Sequence, residues 1–310
     1  MGCPSSPPYL PARPNLGQLR RQAKDLLRAA KQADPAARAR LAAVTGELTL
    51  ASAQLAVARE YGFASWPRLK AEVERRVILN SRDLTRLARL LAEQPEMAVE
   101  TMDRWSDHPR GATPLRYVAM LRYDTVSGVW GDLPGTGAVA KALLAAGAAV
   151  DGVPGDSETP LITAASYGDV EAARALIDAG ADLDATAAAD AGGVPGATAL
   201  RHAAVFGMTA VVDLLVASGA RIGSLAEAAA AGDITGWLEP DTPLDDRVRG
   251  LVMAADHERL DVIDQLLDAG TPIDAADPWG RRALSVATSN NRVASIRHLL
   301  GRGATRTTET

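Results

Sequence analysis

The chain has 310 residues, a net charge of −5 and an apolar fraction of 47%, yet only 4% of its residues are aromatic. This length is enough for a sizeable core and for one to three domains. The single cysteine, Cys3, excludes a disulfide framework, and the four scattered histidines lack the spacing of a zinc site, so we expect no metal and no cofactor.

No apolar run approaches eighteen residues, and no charged segment followed by an apolar one opens the chain. We therefore expect no membrane span, no signal peptide and a cytoplasmic location. Arginine outnumbers lysine by 29 to 4, which is typical of high-GC bacterial genes. The opening letters MGCPSS match a myristoylation pattern, although so short a pattern often matches by chance and a disordered terminus is the alternative.

The N-terminal part of the chain is basic and the rest is acidic. Residues 1–78 carry a net charge of +7, and the remainder carries −12. Five prolines in residues 1–14 predict an extended segment. Over residues 15–78 the sequence predicts a helical module, with Asn15 as the first helix cap and Ser65 as the last.

This module has two possible roles. Two of its helices joined through YGFASW are similar to a helix-turn-helix, and the positive charge would suit phosphates. The apolar residues of that segment fit a core better, however, and basic charge supplies only nonspecific attraction. We therefore disfavour nucleic acid as the partner and expect a basic cap on the acidic part of the chain.

A repeat occupies the acidic part. The leucine that follows TP or its equivalent lies 19 residues before the glycine of an AGA-like triplet in four units, as in Leu161 to Gly180. In ETPLITAASYGDVEAARALIDAGADLD, Thr159 can cap a helix, Pro160 suits its first turn, and Gly168 suits a left-handed helix end. Recurrence of this pattern in register predicts stacked helix pairs.

These units resemble the ankyrin repeat. The resemblance covers residues 79–305, with a shortened unit at 224–238 and a capping pair at 81–98. It implies an all-α ankyrin-repeat solenoid of five to six helix pairs plus capping helices, which we expect to be a monomer with a disordered tail at 306–310. The segment 15–78 resembles a small helical module found ahead of bacterial ankyrin arrays, to which no chemistry is assigned.

The concave side of such an array, made of first helices and turn tips, is where the resemblance places binding. Its variable positions form a row of aromatic and imidazole side chains in a chain otherwise poor in them. The row comprises Tyr117, Tyr167, His202, Phe206 and His257. Ordinary variation of helix surfaces is the alternative explanation for any one of these residues.

One unit carries an insertion. Leu115 to Gly147 spans 32 residues instead of 19, so thirteen extra residues lie between its two helices, over residues 122–134. Long loops in regular arrays are more often functional than ordinary connections. The candidate contact residues of the insertion are Arg122, Tyr123, Asp124, Trp130 and Asp132. The alternative is that Trp130 only packs back onto its own repeat.

Two functions remain open. The first is a binding module that holds a protein partner or a small organic ligand on the concave face and the inserted loop. The second is an enzyme that works without metal or cofactor, such as a cyclase, isomerase or hydratase. In it the loop would cover a pocket, with Asp124 or Asp132 as general acid or base and His202 or Tyr167 assisting. Because ankyrin arrays are rarely enzymes, we favour binding.

Overall fold

The computed structural model describes residues 10, 11, 13–102, 111–124 and 128–305. The predicted tail at 306–310, the MGCPSS pattern and most of the segment 1–14 lie outside these residues. The chain divides into two compact units, Met1–Ala149 and Val150–Thr310. The described residues contain sixteen α-helices and two short strands, so the expected all-α class is confirmed.

The first unit holds seven α-helices, one 3-10 turn and both strands. In chain order they are α1 (Leu16–Lys31), α2 (Pro35–Ala42), α3 (Leu50–Glu60), α4 (Trp66–Ser81), α5 (Leu84–Glu93), the 3-10 turn Pro95–Ala98, α6 (Pro114–Ala119), β1 (Tyr123–Asp124), β2 (Val129–Trp130) and α7 (Thr136–Ala145).

The helices α1 to α4 form the expected N-terminal module. Asn15 caps α1 by accepting the main-chain N–H of Gln18 at 3.1 Å, and Ser65 accepts that of Arg68 at 3.4 Å, so both predicted caps are confirmed. The apolar stripe of α1 packs into one core with α2, α3 and α4. The buried residues of this core include Leu19, Ala23, Leu26, Ala30, Leu41, Ala53, Val57, Leu69 and Val73.

A cluster of buried charged side chains on α4 contacts the segment that follows α5. Glu72 accepts from Arg75 at 2.5 Å and from the Nε of Arg76 at 2.7 Å, and all three side chains are buried. Arg75 also donates to the carbonyl oxygens of Met97 and Glu100, at 3.2 and 2.8 Å. Buried charges need such pairing, because an isolated ion loses its hydration. The contact ties the N-terminal module to the capping pair, although the sequence placed a boundary between them after residue 78.

The insertion is not an irregular loop. Its two strands pair antiparallel, with Tyr123 opposite Trp130 and Asp124 opposite Val129. Below this ladder, the main-chain N–H of Gly131 donates to the carbonyl oxygen of Arg122 at 2.7 Å. The sequence located the insertion correctly but did not predict the hairpin, because two-residue strands leave no periodic signal.

The second unit is an array of helix pairs. Its helices are α8 (Pro160–Ser166), α9 (Val170–Asp178), α10 (Ala199–Val205), α11 (Thr209–Ala217), α12 (Leu225–Ala231), α13 (Leu244–Asp256), α14 (Leu260–Asp268), α15 (Ala283–Ser289) and α16 (Val293–Gly301). The first helices stack in chain order, α8 on α10, α10 on α12, α12 on α13 and α13 on α15.

The repeat signals fold as the sequence indicates. Thr159 accepts the N–H of Ile162 at 3.2 Å, and Gly168 and Gly180 have φ values of 64° and 86°. The shortened unit is also confirmed, since it has no second helix among its described residues: α12 is followed by a non-helical segment in which Ile234 is buried. One first helix is longer than the others. The helix that contains Leu251 begins at Leu244, so α13 is nearly twice as long as its equivalents.

Ala33 is the clearest local strain in the first unit. It follows α1 with φ at 66°, and its side chain is exposed. A left-handed conformation places Cβ against the following carbonyl at a cost of about 1–2 kcal/mol, which glycine avoids. Ala33→Gly should therefore raise the free energy of unfolding by about 0.5–1 kcal/mol, after the extra entropy of the unfolded chain is subtracted.

The measurement is denaturant unfolding of the purified chain. Ala36→Gly is the matched control, because Ala36 is exposed inside α2 and glycine costs about 0.5–1 kcal/mol within a helix. If both substitutions destabilise the chain, strain at Ala33 is disproved.

Candidate functional site

The predicted site residues fall into the two compact units. Tyr117 and the insertion belong to Met1–Ala149, whereas the rest of the row belongs to Val150–Thr310. Each group is therefore considered within its own unit.

Tyr117 is a buried residue of α6 and not a surface group. Its hydroxyl donates to Oδ1 of Asn80 on α4 at 2.6 Å. Burial raises the pKa of this phenol to about 12, and the positive charge of Arg76 only partly opposes that rise. The expectation that Tyr117 faces a groove is wrong, because the first turn of α6 is packed against α4.

The hairpin of the insertion exposes part of its aromatic pair. The rings of Tyr123 and Trp130 lie 5.0 Å apart at a tilt of 49°, and Trp130 remains 50% exposed. Arg122 donates from Nε to the carbonyl oxygen of Gly131 at 3.3 Å, which closes the base of the hairpin. Asp132 is exposed.

The main chain of Asp124 belongs to β1, and its side chain lies outside the described part of the structure. The structure therefore brings together Arg122, Tyr123 and Trp130, and shows no described contact that would make Asp132 a catalytic group.

His202 is fully buried, and its ring fixes a loop. The main-chain N–H of Val194 donates to Nε2 at 3.0 Å, so in the neutral ring the proton lies on Nδ1, which donates to the carbonyl oxygen of Thr198 at 2.9 Å. A Cβ on Gly193 would lie 3.1 Å from Nε2, which explains the glycine there. The long AGGVPGA connection is thus held against α10 by this imidazole, and the prediction that His202 faces an open groove is wrong.

His257 is also buried, and both of its ring nitrogens make hydrogen bonds within the protein. Nε2 lies 2.9 Å from the carbonyl oxygen of Ala204, and Nδ1 lies 2.9 Å from the hydroxyl of Thr209. A carbonyl can only accept, so Nε2 carries the proton and Nδ1 accepts from the hydroxyl. The ring therefore links the end of α13 to α10 and α11. Its predicted exposure is wrong, because the turn between repeats encloses it.

The neighbouring Asp256 extends this polar cluster to a third repeat. It accepts from Asn290 at 2.8 Å and from the Nε of Arg292 at 3.2 Å, and Arg292 also donates to the carbonyl oxygen of Gly207 at 2.6 Å. Gly207 has φ at 68°, and a Cβ there would lie 2.7 Å from Arg292. The cluster thus joins α10, α13 and α16 through groups that are no longer available to a ligand.

Two members of the predicted row do reach the surface. Phe206 is 41% exposed at the end of α10, and Tyr167 is half-buried at the equivalent end of α8. Because α8 and α10 pack side by side, these aromatic residues occupy matching positions on adjacent repeats. They form the part of the row that a partner can touch.

The sequence analysis missed the most exposed aromatic residue of this unit. Trp279 is 65% exposed at the turn before α15, and the guanidinium carbons of Arg249 and Arg281 lie 5.1 and 5.3 Å from the centroid of its ring. Cations at such distances are attracted to an aromatic face. The letters DPWGRR could have revealed it, since tryptophan between Pro278 and Gly280 at a turn tip has no core to enter.

The exposed residues of the predicted site, Trp130, Asp132 and Phe206, offer surface contacts. The described residues hold no group of three or more His, Cys, Asp or Glu side chains placed to bind a metal ion. Two open grooves, of about 450 and 530 Å³, lie in the N-terminal module on either side of the Arg40–Glu60 pair. Neither groove is lined by a residue that the sequence placed in the site. No helix in the described ranges is long and apolar enough to cross a membrane.

Comparison with known proteins identifies the repeat. Residues 135–226 match the family model for ankyrin repeats, in three copies. Residues 135–226 are therefore ankyrin repeats. The N-terminal module is not part of this match, so its assignment to a module of bacterial arrays stays a prediction.

A search of the curated proteins finds no match. Among the solved structures that match is the human ASB11 ankyrin repeat domain, with 22% sequence identity and a TM-score of 0.43. The match covers 74% of this chain and 98% of that one.

We predict that His257 makes the stability of the chain depend on pH. Burial lowers its pKa, while Asp256 opposes this effect and Arg259 and Arg292 add to it. As the pH falls below about 6.5, the unfolded chain binds a proton before the folded chain does, so the free energy of unfolding should decrease until the folded pKa is passed. His257→Gln should lower stability at pH 7 by about 1–2 kcal/mol and flatten the profile between pH 7 and pH 5.

Denaturant unfolding across that pH range gives both quantities. Thr209→Val is the matched control, because it removes the hydroxyl partner but keeps a titratable ring, so its profile should retain a pH dependence that His257→Gln loses. An unchanged slope in His257→Gln would refute the assignment.

Proposed function

We propose that the protein is a binding module that holds a protein partner on the first-helix face of Val150–Thr310. Ankyrin repeats generally mediate interactions between proteins. The observation that carries the proposal is the exposed ring of Phe206 beside Tyr167, at matching positions of two adjacent repeats. Aromatic side chains provide large contact areas at low entropic cost, and such residues dominate binding energies at interfaces.

Charge indicates the kind of partner that fits this face as a whole. Residues 150–310 carry 12 arginines and no lysine against 24 acidic residues, a net charge of −12. Opposite charge speeds association and suppresses wrong partners, so a partner with basic and apolar character is favoured. This inference supports a protein segment over a neutral small molecule.

Binding is favoured over catalysis by the fate of the titratable groups. An acid–base mechanism needs an imidazole or carboxylate within reach of a substrate proton. His202 and His257 instead spend both ring nitrogens on internal hydrogen bonds, and the carboxylate of Asp256 is buried against Asn290 and Arg292. The most exposed residue of the predicted row, Phe206, can provide contact area but cannot transfer a proton.

Site-specific photo-crosslinking tests the proposed face in the native cell. A benzophenone amino acid in place of Phe206 should crosslink to a distinct protein, because a residue at a contact centre lies within reach of its partner. The same amino acid at Gln265, which is exposed on the outer helix α14, is the matched control and should not give that product. Equal products at both positions, or none at Phe206, would contradict the proposal.

A further inference from the structure

We propose a second, independent interaction surface at the turn tip before α15, consisting of Trp279, Arg249 and Arg281, which binds an acidic peptide segment with an apolar residue beside its carboxylate. This surface is named the Trp279 patch. It differs from the face around Phe206 in chemistry, because it consists of one exposed indole and two half-buried guanidinium ions.

The turn that presents Trp279 is rigid. Asp277 is buried and accepts the main-chain N–H groups of Trp279 and Arg281 at 3.0 and 2.9 Å, while its second oxygen accepts from the Nε of Arg281 at 2.8 Å. The N–H of Gly280 donates to the carbonyl oxygen of Asp277, also at 2.8 Å. The hydrogen bonds that Asp277 and Gly280 make in this turn do not involve the indole.

The long helix α13 supplies the other cation. Arg249 lies on the part of α13 that extends beyond the length of the other first helices, and its guanidinium approaches the indole of Trp279. A tryptophan in contact with two arginines has less conformational freedom left to lose on binding. Tryptophan and arginine are also the residues most enriched at the energetic centres of interfaces.

The remaining hydrogen-bonding capacity of the patch consists of donors. Among the residues that the structure describes, Arg281 uses only Nε, so its two terminal nitrogens have no acceptor, and neither has the indole N–H of Trp279. Arg249 is paired only with Asp246, at 3.3 Å, through one terminal nitrogen. Guanidinium forks favour carboxylates, which they can bind through two parallel hydrogen bonds. A carboxylate at the edge of the ring would satisfy these donors, and an adjacent apolar side chain would cover the indole.

A peptide-display selection tests this without a known partner. A library of random twelve-residue peptides is selected on the purified full-length chain and counter-selected on Trp279→Ala. Peptides retained by the wild type alone should carry Asp or Glu next to an aliphatic or aromatic residue. Recovery of basic peptides, or no difference between the two proteins, would overturn the proposal.

The affinity of a selected peptide for a set of variants then separates what the indole and the guanidinium groups each contribute to binding. Trp279→Ala and the pair Arg249→Ala with Arg281→Ala should each weaken binding by about ten-fold or more. Asp246→Asn should tighten it, because the competing carboxylate is lost, a result that a merely structural patch would not give. Arg297→Ala is the control for charge, since Arg297 is exposed on α16.

Two checks complete the test. Circular dichroism melts establish that each variant is folded, and Trp279→Phe, which keeps an aromatic face, should recover part of the affinity. A DNA duplex that binds with the same dependence on the three residues would show a general polyanion site and would overturn the assignment to an acidic peptide. All of these measurements use purified protein and variants of the Trp279 patch. Their outcome therefore does not depend on the result of the crosslinking at Phe206.

Discussion

The array depends on close stacking of its first helices through small side chains. At the third position after the repeat leucine, α8, α10, α12, α13 and α15 all carry a fully buried alanine. These residues are Ala164, Ala203, Ala228, Ala254 and Ala287. No helix pair can bury its own apolar face, so each repeat is stable only against its neighbours. A larger side chain at this position would separate the helices and cost packing energy throughout the stack.

This spacing determines what polar side chains in the first helices can do. Helices that approach so closely enclose the groups at their turns, and an enclosed polar group must find a partner. His202 and His257 meet that demand with two internal hydrogen bonds each. The two imidazoles stabilise loops and turns. The side chains that we propose for binding are instead aromatic and arginine residues at helix ends and turn tips. The proposed contact residues are therefore Phe206 and Trp279, which are exposed, and not the enclosed imidazoles.

The sequence was sufficient for the class of fold and for helix ends such as those at Thr159, Gly168 and Gly180, because a repeat presents its capping and glycine signals several times over. It also located the insertion at residues 122–134 by length alone. It did not reveal the exposure of single side chains. Tyr117 and His202 occupy positions that vary among repeats, yet both are buried. The hydroxyl of Tyr117 bonds Asn80, 37 residues away, and the ring of His202 is covered by the loop at Val194. Such contacts leave no periodic trace, and neither does the extension of α13 that brings Arg249 to Trp279.

The central claim is that the imidazoles belong to the fold and not to a reactive groove. Long-range proton–nitrogen NMR of the histidine rings tests it most directly. The account predicts two fixed and different neutral tautomers at pH 7, with the proton on Nδ1 in His202 and on Nε2 in His257. Rings that average between tautomers and exchange freely with solvent would contradict it, and would return His202 to the candidates for catalysis.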